Sequence, residues 1–416
     1  MSSAETLTSM NDNDLHFDIA QYDQTLTVSF DAPVEPNAFH VDGNQVGQAA
    51  EDVRRTLTAM CEEYLERKPG QRSWDKPDGG LLRDLAQEGV TMKRVFFGNN
   101  HKCRDLLNGR YNRVPITFRL KPDVKIHAPW GLMFDLPQDP ANPKKEAKIE
   151  DLSKGQLREG FWCASRDLAV VYQDSDAQLD EPLASHPEPS TRLLAVFNPG
   201  PHDYVDKNRK VRWEHEFSQK RDLMRHLADN LDQQWILYFF CHAQENTLIL
   251  QGRSATGPDT LVPLQLMNVV DGSSYRKSGI VFLNGCKTGV SNRGYSWQQA
   301  TRHRGLAGYI GTESIVPTKF AWDFGRDFLY LLASGKSPRE AMRELRARHF
   351  PLSLVYGLYC LPDWVAADVP LTNSLPKPAE GDYCSLPADV SKQGYDRLPF
   401  RESNQQVPSA ATRKMR

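Results

Sequence analysis

Two stretches of the chain are apolar at every position, without the skips of a helix or the alternation of a half-buried strand: Trp235-Ile-Leu-Tyr-Phe-Phe240 and Gly279-Ile-Val-Phe-Leu283. Runs of this length, rich in β-branched and aromatic residues, predict strands covered on both faces, as in a parallel sheet. Leu168 to Tyr172, Arg192 to Phe197, Thr247 to Leu250 and Leu306 to Gly311 read as further strands. Between and after them, 3.6-residue periodicity predicts helices over Trp213 to Asp229, Phe320 to Ala333 and Pro338 to Arg348, with a short segment near Leu261 to Val270. The helix at Pro338 has proline at its first position and Ser337 as its cap. Such alternation predicts an α/β fold, a mostly parallel sheet flanked by helices.

The pattern upstream differs. Leu15 to Phe30 is strand material, with strict alternation in Thr25-Leu-Thr-Val-Ser-Phe30. Gln45 to Arg67 has helical spacing through Val46, Val53, Leu57, Met60, Tyr64 and Leu65, stopped by Pro69-Gly70. A short helix over Leu81 to Glu88 and a strand over Val114 to Leu120 follow. Residues 15–135 thus form an N-terminal α/β accessory part. Pro137, Pro140 and Pro143 and the lysines and glutamates after them make 136–160 a linker to a second part, 161–369. Residues 1–14 are polar, and 370–416 are rich in Pro, Ser, Asp and Gln without period, so both ends are expected to be disordered.

Composition narrows the function classes. With 416 residues, 39% of them apolar, the chain can bury a large core. A net charge of -2 without a strongly basic face argues against nucleic-acid binding. No apolar stretch approaches the roughly 18 residues of a membrane span, and the first residues lack a secretory pattern, so a cytoplasmic location is expected. Seven cysteines, odd in number and irregularly spaced, read as reduced thiols. No metal or cofactor is expected: C-x2-C and H-x3-H spacings are missing, and Cys241 and His242, as strand neighbours, point to opposite faces. Gly335-Lys336-Ser337 is no phosphate loop, since Tyr330 stands where its leading glycine belongs.

Just past the ends of the two apolar runs stand His242 and Cys286. A thiol attacks a carbonyl as thiolate, which requires partial exposure and a base within reach, and a strand end offers the first. The 44-residue interval with histidine first resembles the caspase order, where the histidine lies about 50 residues upstream. Gly285 and Gly289 suit a tight turn and close substrate approach.

In order, Ala128-Pro-Trp-Gly-Leu132, Phe240-Cys-His-Ala243, Phe282-Leu-Asn-Gly-Cys-Lys-Thr-Gly289, Gly305-Leu-Ala-Gly-Tyr-Ile-Gly-Thr312 and Val316-Pro-Thr-Lys-Phe-Ala321 resemble the CHAT peptidases, bacterial relatives of caspases and separases. Phe328 to Gly335, Glu340-Ala341 and Leu358-Tyr359 continue the resemblance, which spans about 120 to 365. It implies a caspase-like fold and peptide-bond hydrolysis, with His242 as general base and acid and Cys286 as nucleophile. The backbone N–H groups of Cys286 and Ala243 would hold the oxyanion. Many clan members have glycine at the position of Ala243, and an alanine there is strained if the site needs a positive φ.

The resemblance further implies a primary pocket at Asn284 and near Thr318, where relatives that cut after basic residues carry acids; Asp323 lies one helical turn beyond Thr318, and Asn198, at the end of the Leu193 to Phe197 strand, is placed to line the same pocket. Asn equally serves turns and strand ends. A regulated protease is implied, with few protein substrates and a separate sensor, in immunity or cell death. The competing class is a non-catalytic interaction module on a protease fold, and a third reading is a small-molecule acyl transferase. His202, His215 and His226 read as surface histidines. Trp130, Trp235, Trp297 and Trp322 read as packing residues. Cys163, Cys241 and Cys360 read as structural thiols.

Overall fold

The computed structural model describes residues 15–31, 37–66, 80–98, 114–139, 141–172, 191–197, 215–230, 234–244, 246–254, 257–270, 279–290, 296–297 and 306–366, with the single residues 100, 103 and 107. The expected disordered ends, His202 and Asn198 lie outside the described residues.

The alternating segment near the start forms a hairpin of β1 (Leu15–Tyr22) and β2 (Thr25–Phe30), extended by β3 (Ala38–Asp42). Leu26, Val28 and Phe30 point into the core, as the alternation requires. Helix α1 (Gly43–Glu66) buries Val46, Val53, Leu57, Met60 and Tyr64, the stripe set by its 3.6-residue spacing. Helix α2 (Gly80–Phe97) runs well beyond the expected Glu88. Gly89 sits mid-helix, where a Cβ would come 2.3 Å from the Leu132 carbonyl oxygen, so the close packing there needs glycine.

Strand β4 (Ile116–Leu120) pairs in parallel with β1. The segment expected to be a linker is folded: β5 (Gln138–Asp139) and β6 (Asn142–Glu146) form a hairpin, followed by α3 (Lys154–Gly160), capped by Ser153, and α4 (Trp162–Ser165). Asp135 anchors it, accepting from Lys93 Nζ at 2.5 Å and Arg166 Nη2 at 2.8 Å. Strand β7 (Leu168–Tyr172), assigned by the boundary at 160 to the second part, pairs with β4 instead. The first sheet has the order β3-β2-β1-β4-β7. Phe118 stacks on Trp130 and Trp162 at its centre, with ring centroids 4.9 and 6.5 Å away.

The second sheet contains β8 (Arg192–Phe197), β9 (His215–Phe217), β10 (Trp235–Phe240), β14 (Gly279–Asn284), β15 (Leu306–Thr312) and β16 (Tyr356–Cys360). Its order is β16-β15-β14-β10-β8-β9, parallel throughout except for β16. Every residue of β10, β14 and β15 is buried, which explains their unbroken apolar runs. Helix α5 covers only Lys220–Asp229, because His215-Glu-Phe217 at the start of the expected helix is an edge strand.

A small antiparallel sheet of β11 (His242–Gln244), β12 (Thr247–Ser254) and β13 (Gly257–Leu261) extends from the end of β10, followed by α6 (Pro263–Val270). Helices α7 (Thr318–Ala333) and α8 (Pro338–His349) follow β15, the latter with the Ser337 capping box and Pro338. The two sheets meet where β7 lies beside β16. Arg346 clamps that seam, donating to the carbonyls of Cys163 at 3.0 Å and Tyr356 at 2.9 Å. The α/β architecture is therefore as the pattern predicts, and among the described residues no helix is long and apolar enough to cross a membrane.

Candidate active site

Between β8 and β10 the chain first steps outward to β9, then returns to the other side of β8. Such a reversal opens a crevice at the carboxyl ends of the strands, where open α/β sheets bind ligands. His242 follows β10 at that end. The parallel register of β10 and β14 runs from Trp235 opposite Gly279 to Phe240 opposite Asn284, so His242 and Cys286 each lie two residues past the last pair. Between them, Cys241 and Gly285 are so close that a Cβ on Gly285 would lie 2.5 Å from the Cys241 carbonyl oxygen. Gly285 is thus required by close approach, and so is Gly289, whose added Cβ would lie 2.9 Å from Glu313 Oε1.

The loop carrying Cys286 is fixed by hydrogen bonds to the end of β15. Lys287 N–H donates to the Ser314 carbonyl at 2.9 Å and Gly289 N–H to that of Thr312 at 2.8 Å. Thr288 Oγ1 donates to the Leu283 carbonyl at 2.9 Å, and Thr312 Oγ1 donates to the Gly285 carbonyl. Lys287 adopts a left-handed conformation with φ 56°, a cost tolerated within this web of contacts. Ala243 is not among the described residues with positive φ, so the strain expected for an alanine there is not found. The backbone N–H groups of Val316 and of Cys286 itself both face the thiol.

Cys286 is the one described cysteine that is not buried. Its surroundings push the thiol up from its ordinary value by desolvation, while the Val316 backbone N–H and the Lys287 charge pull the other way. Burial pushes the half-buried His242 imidazole down. At neutral pH these shifts leave the thiol protonated and the imidazole neutral, in its proton-accepting form. No hydrogen bond joins the two among the described residues.

Asn284 is placed differently from a pocket residue. It is buried, donates from Nδ2 to Tyr238 Oη at 2.9 Å and the Ala321 carbonyl at 2.6 Å, and accepts from Tyr356 Oη at 2.7 Å. Its side chain ties β10, β14, β16 and α7 together, with both amide hydrogens and the carbonyl oxygen engaged inside the core. Thr318 is exposed in the first turn of α7. Asp323 is held by Lys319 at 2.9 Å and Arg326 at 3.4 Å, which neutralise it. The start of α7 borders the strand ends, since Trp322 packs on Phe197 and Phe240 with centroids 6.2 and 5.6 Å away.

Trp130, Trp235, Trp297 and Trp322 are buried in the core, as are Cys163, Cys241 and Cys360. His215 and His226 lie against each other with centroids 4.4 Å apart. The elements that sequence reasoning missed are Thr288, Thr312 and Ser314, whose role depends on contacts between strand ends. Among the described residues no group of three or more His, Cys, Asp or Glu side chains is arranged to hold a metal ion. In comparison with known proteins, the chain matches no family model and no curated sequence.

Proposed function

We propose that the chain is a caspase-like cysteine endopeptidase in which Cys286 is the nucleophile and His242 the general base and acid. The observation that carries this reading is the emergence of His242 and Cys286 from the same end of adjacent parallel strands, next to the point where the strand order reverses. The imidazole takes the thiol proton as Sγ attacks the peptide carbonyl, and the oxyanion is held by the N–H groups of Cys286 and Ala243. The imidazolium then protonates the leaving amine as the C–N bond breaks, leaving a thioester. Water, deprotonated by the same imidazole, hydrolyses it and restores the thiol.

The ordered segments that resemble the CHAT peptidases support the same reading, and with it a limited set of protein substrates and control by a separate sensor. Because Asn284 is consumed in the core and Asp323 is paired, no free acid from the candidate pocket set favours a basic residue before the cut. The test is labelling with a peptide carrying an acyloxymethyl ketone, which traps an activated thiol. The adduct is expected on Cys286 and not on the other cysteines, and to fall sharply in His242→Ala. Equal labelling with and without His242 would speak for a thiol on a binding module.

A further inference from the structure

Helix α1 belongs to the layer on the first sheet, yet three of its residues reach the loop after β15. Arg54, Thr58 and Cys61 share one face, being spaced by four and three residues. Arg54, buried, donates from Nε to Glu313 Oε2 at 2.9 Å, from Nη1 to Glu51 at 2.9 Å and from Nη2 to the His127 carbonyl at 2.5 Å. Thr58 Oγ1 lies 2.9 Å from Ser314 Oγ, and the Cys61 thiol also faces the Ser314 side chain.

Glu313 and Ser314 are the residues against which the Cys286 loop rests. Ser314 accepts the Lys287 N–H at 2.9 Å through its carbonyl. Glu313 Oε1 packs so closely on Gly289 that a Cβ there would lie 2.9 Å away. Glu313 is itself fixed from below, its N–H donating to the Val355 carbonyl at 2.8 Å. A buried carboxylate such as Glu313 holds its place only while its cation does, because an unpaired charge in the interior is costly. Two short relays thus run from α1 to the residues flanking Cys286: Arg54 to Glu313 to Gly289, and Thr58 to Ser314 to Lys287.

We propose that Arg54 and Thr58 are positioning residues for Cys286, and that helix α1 sets the nucleophile's loop through Glu313 and Ser314. The consequence for catalysis rests on the Cys286 and His242 reading; the mechanical coupling does not. In this arrangement the accessory layer is a working part of the site, and a partner that shifts α1 changes the reactivity of Cys286 without touching it.

The test uses the full chain with Thr58→Val, which removes one hydroxyl at nearly constant volume, and separately Arg54→Met. Amide hydrogen exchange over residues 285–290 should quicken about tenfold or more in each, while β10 amides at Leu237 and Phe239 stay protected. Turnover should lose kcat with KM unchanged, and Thr58→Ser should restore both exchange and kcat. Unchanged exchange at Lys287 and Gly289 in the folded Thr58→Val chain would overturn the proposal, as would exchange that Thr58→Ser fails to restore. Should His242→Ala leave Cys286 reactivity unaltered, the dyad reading alone fails, since the exchange measurement needs no catalysis.

Discussion

Replacing Gly285 with alanine tests whether the tight meeting of the β10 and β14 ends sets the placement of Cys286 relative to His242. The added methyl would stand 2.5 Å from the Cys241 carbonyl oxygen and 3.3 Å from Ala243 Cβ, whereas ordinary contacts begin at 3.4 Å. The strand ends must part by about 0.9 Å, the difference between 3.4 and 2.5 Å. Neither side yields easily, because the Cys241 oxygen is backbone and Gly285 is itself held through its carbonyl by Thr312 and Thr288. Overpacking of this kind costs about 1–3 kcal/mol of stability, so the variant should fold with a lowered melting temperature. Its effect on chemistry should be larger: a displacement of about 1 Å between reacting groups costs on the order of 100-fold in rate, or about 2.7 kcal/mol in barrier. The assay is kcat on a cleaved peptide, beside the rate of Cys286 alkylation with and without His242. Gly289→Ala is the comparison, since its methyl comes no nearer than 2.9 Å to Glu313 Oε1 and 3.1 Å to the Thr312 carbonyl oxygen, a milder overlap than 2.5 Å. A folded Gly285→Ala chain with kcat within about threefold of the parent would refute the reasoning, because a 0.9 Å shift at this point could not then matter.

Burial holds His242 below the ordinary imidazole range, and the proposed dyad works with the ring neutral, so the rising limb of kcat/KM against pH should lie below about pH 6.5; a limb centred above that value contradicts the assignment. Asn284→Leu, which strands the hydroxyls of Tyr238 and Tyr356, should cost about 2–4 kcal/mol in denaturant unfolding and leave the preferred residue before the cut unchanged. Burial alone would raise the Asp135 carboxyl, but Lys93 and Arg166 outweigh it and hold the group below its ordinary value. A carboxyl depressed on folding stabilises above its unfolded value, so this contribution is present above about pH 4 and lost as pH falls through the folded value. Asp135→Asn should therefore cost about 3 kcal/mol at neutral pH, and the gap from the parent in urea unfolding should close in acid.

The strands that carry the candidate site were legible because local pattern alone decides them. Strands buried on both faces carry no polar interruptions, so β10 and β14 declare themselves and place His242 and Cys286 just beyond their ends. Features that depend on distant partners were not legible. The helix expected to end at Glu88 continues through Gly89 where Leu132 packs against it, and the proline-rich segment after Asp135 reads as a linker until Lys93 and Arg166 are found holding that residue. The same holds for Asn284, a residue suited to turns or pockets whose three partners come from β10, β16 and α7. Likewise Leu168 to Tyr172 has the composition of either sheet, and only pairing with β4 assigns it to the first.

The central claim is that Cys286 cuts peptide bonds. It is met most directly by mass-spectrometric mapping of new termini after incubation of the purified chain, and of its Cys286→Ala variant, with a peptide library and with cell lysate. Cleavage by the parent chain should disappear in Cys286→Ala and be lost in His242→Ala. Identical termini with all three proteins, under conditions where Cys286 accepts the peptide ketone, would contradict it.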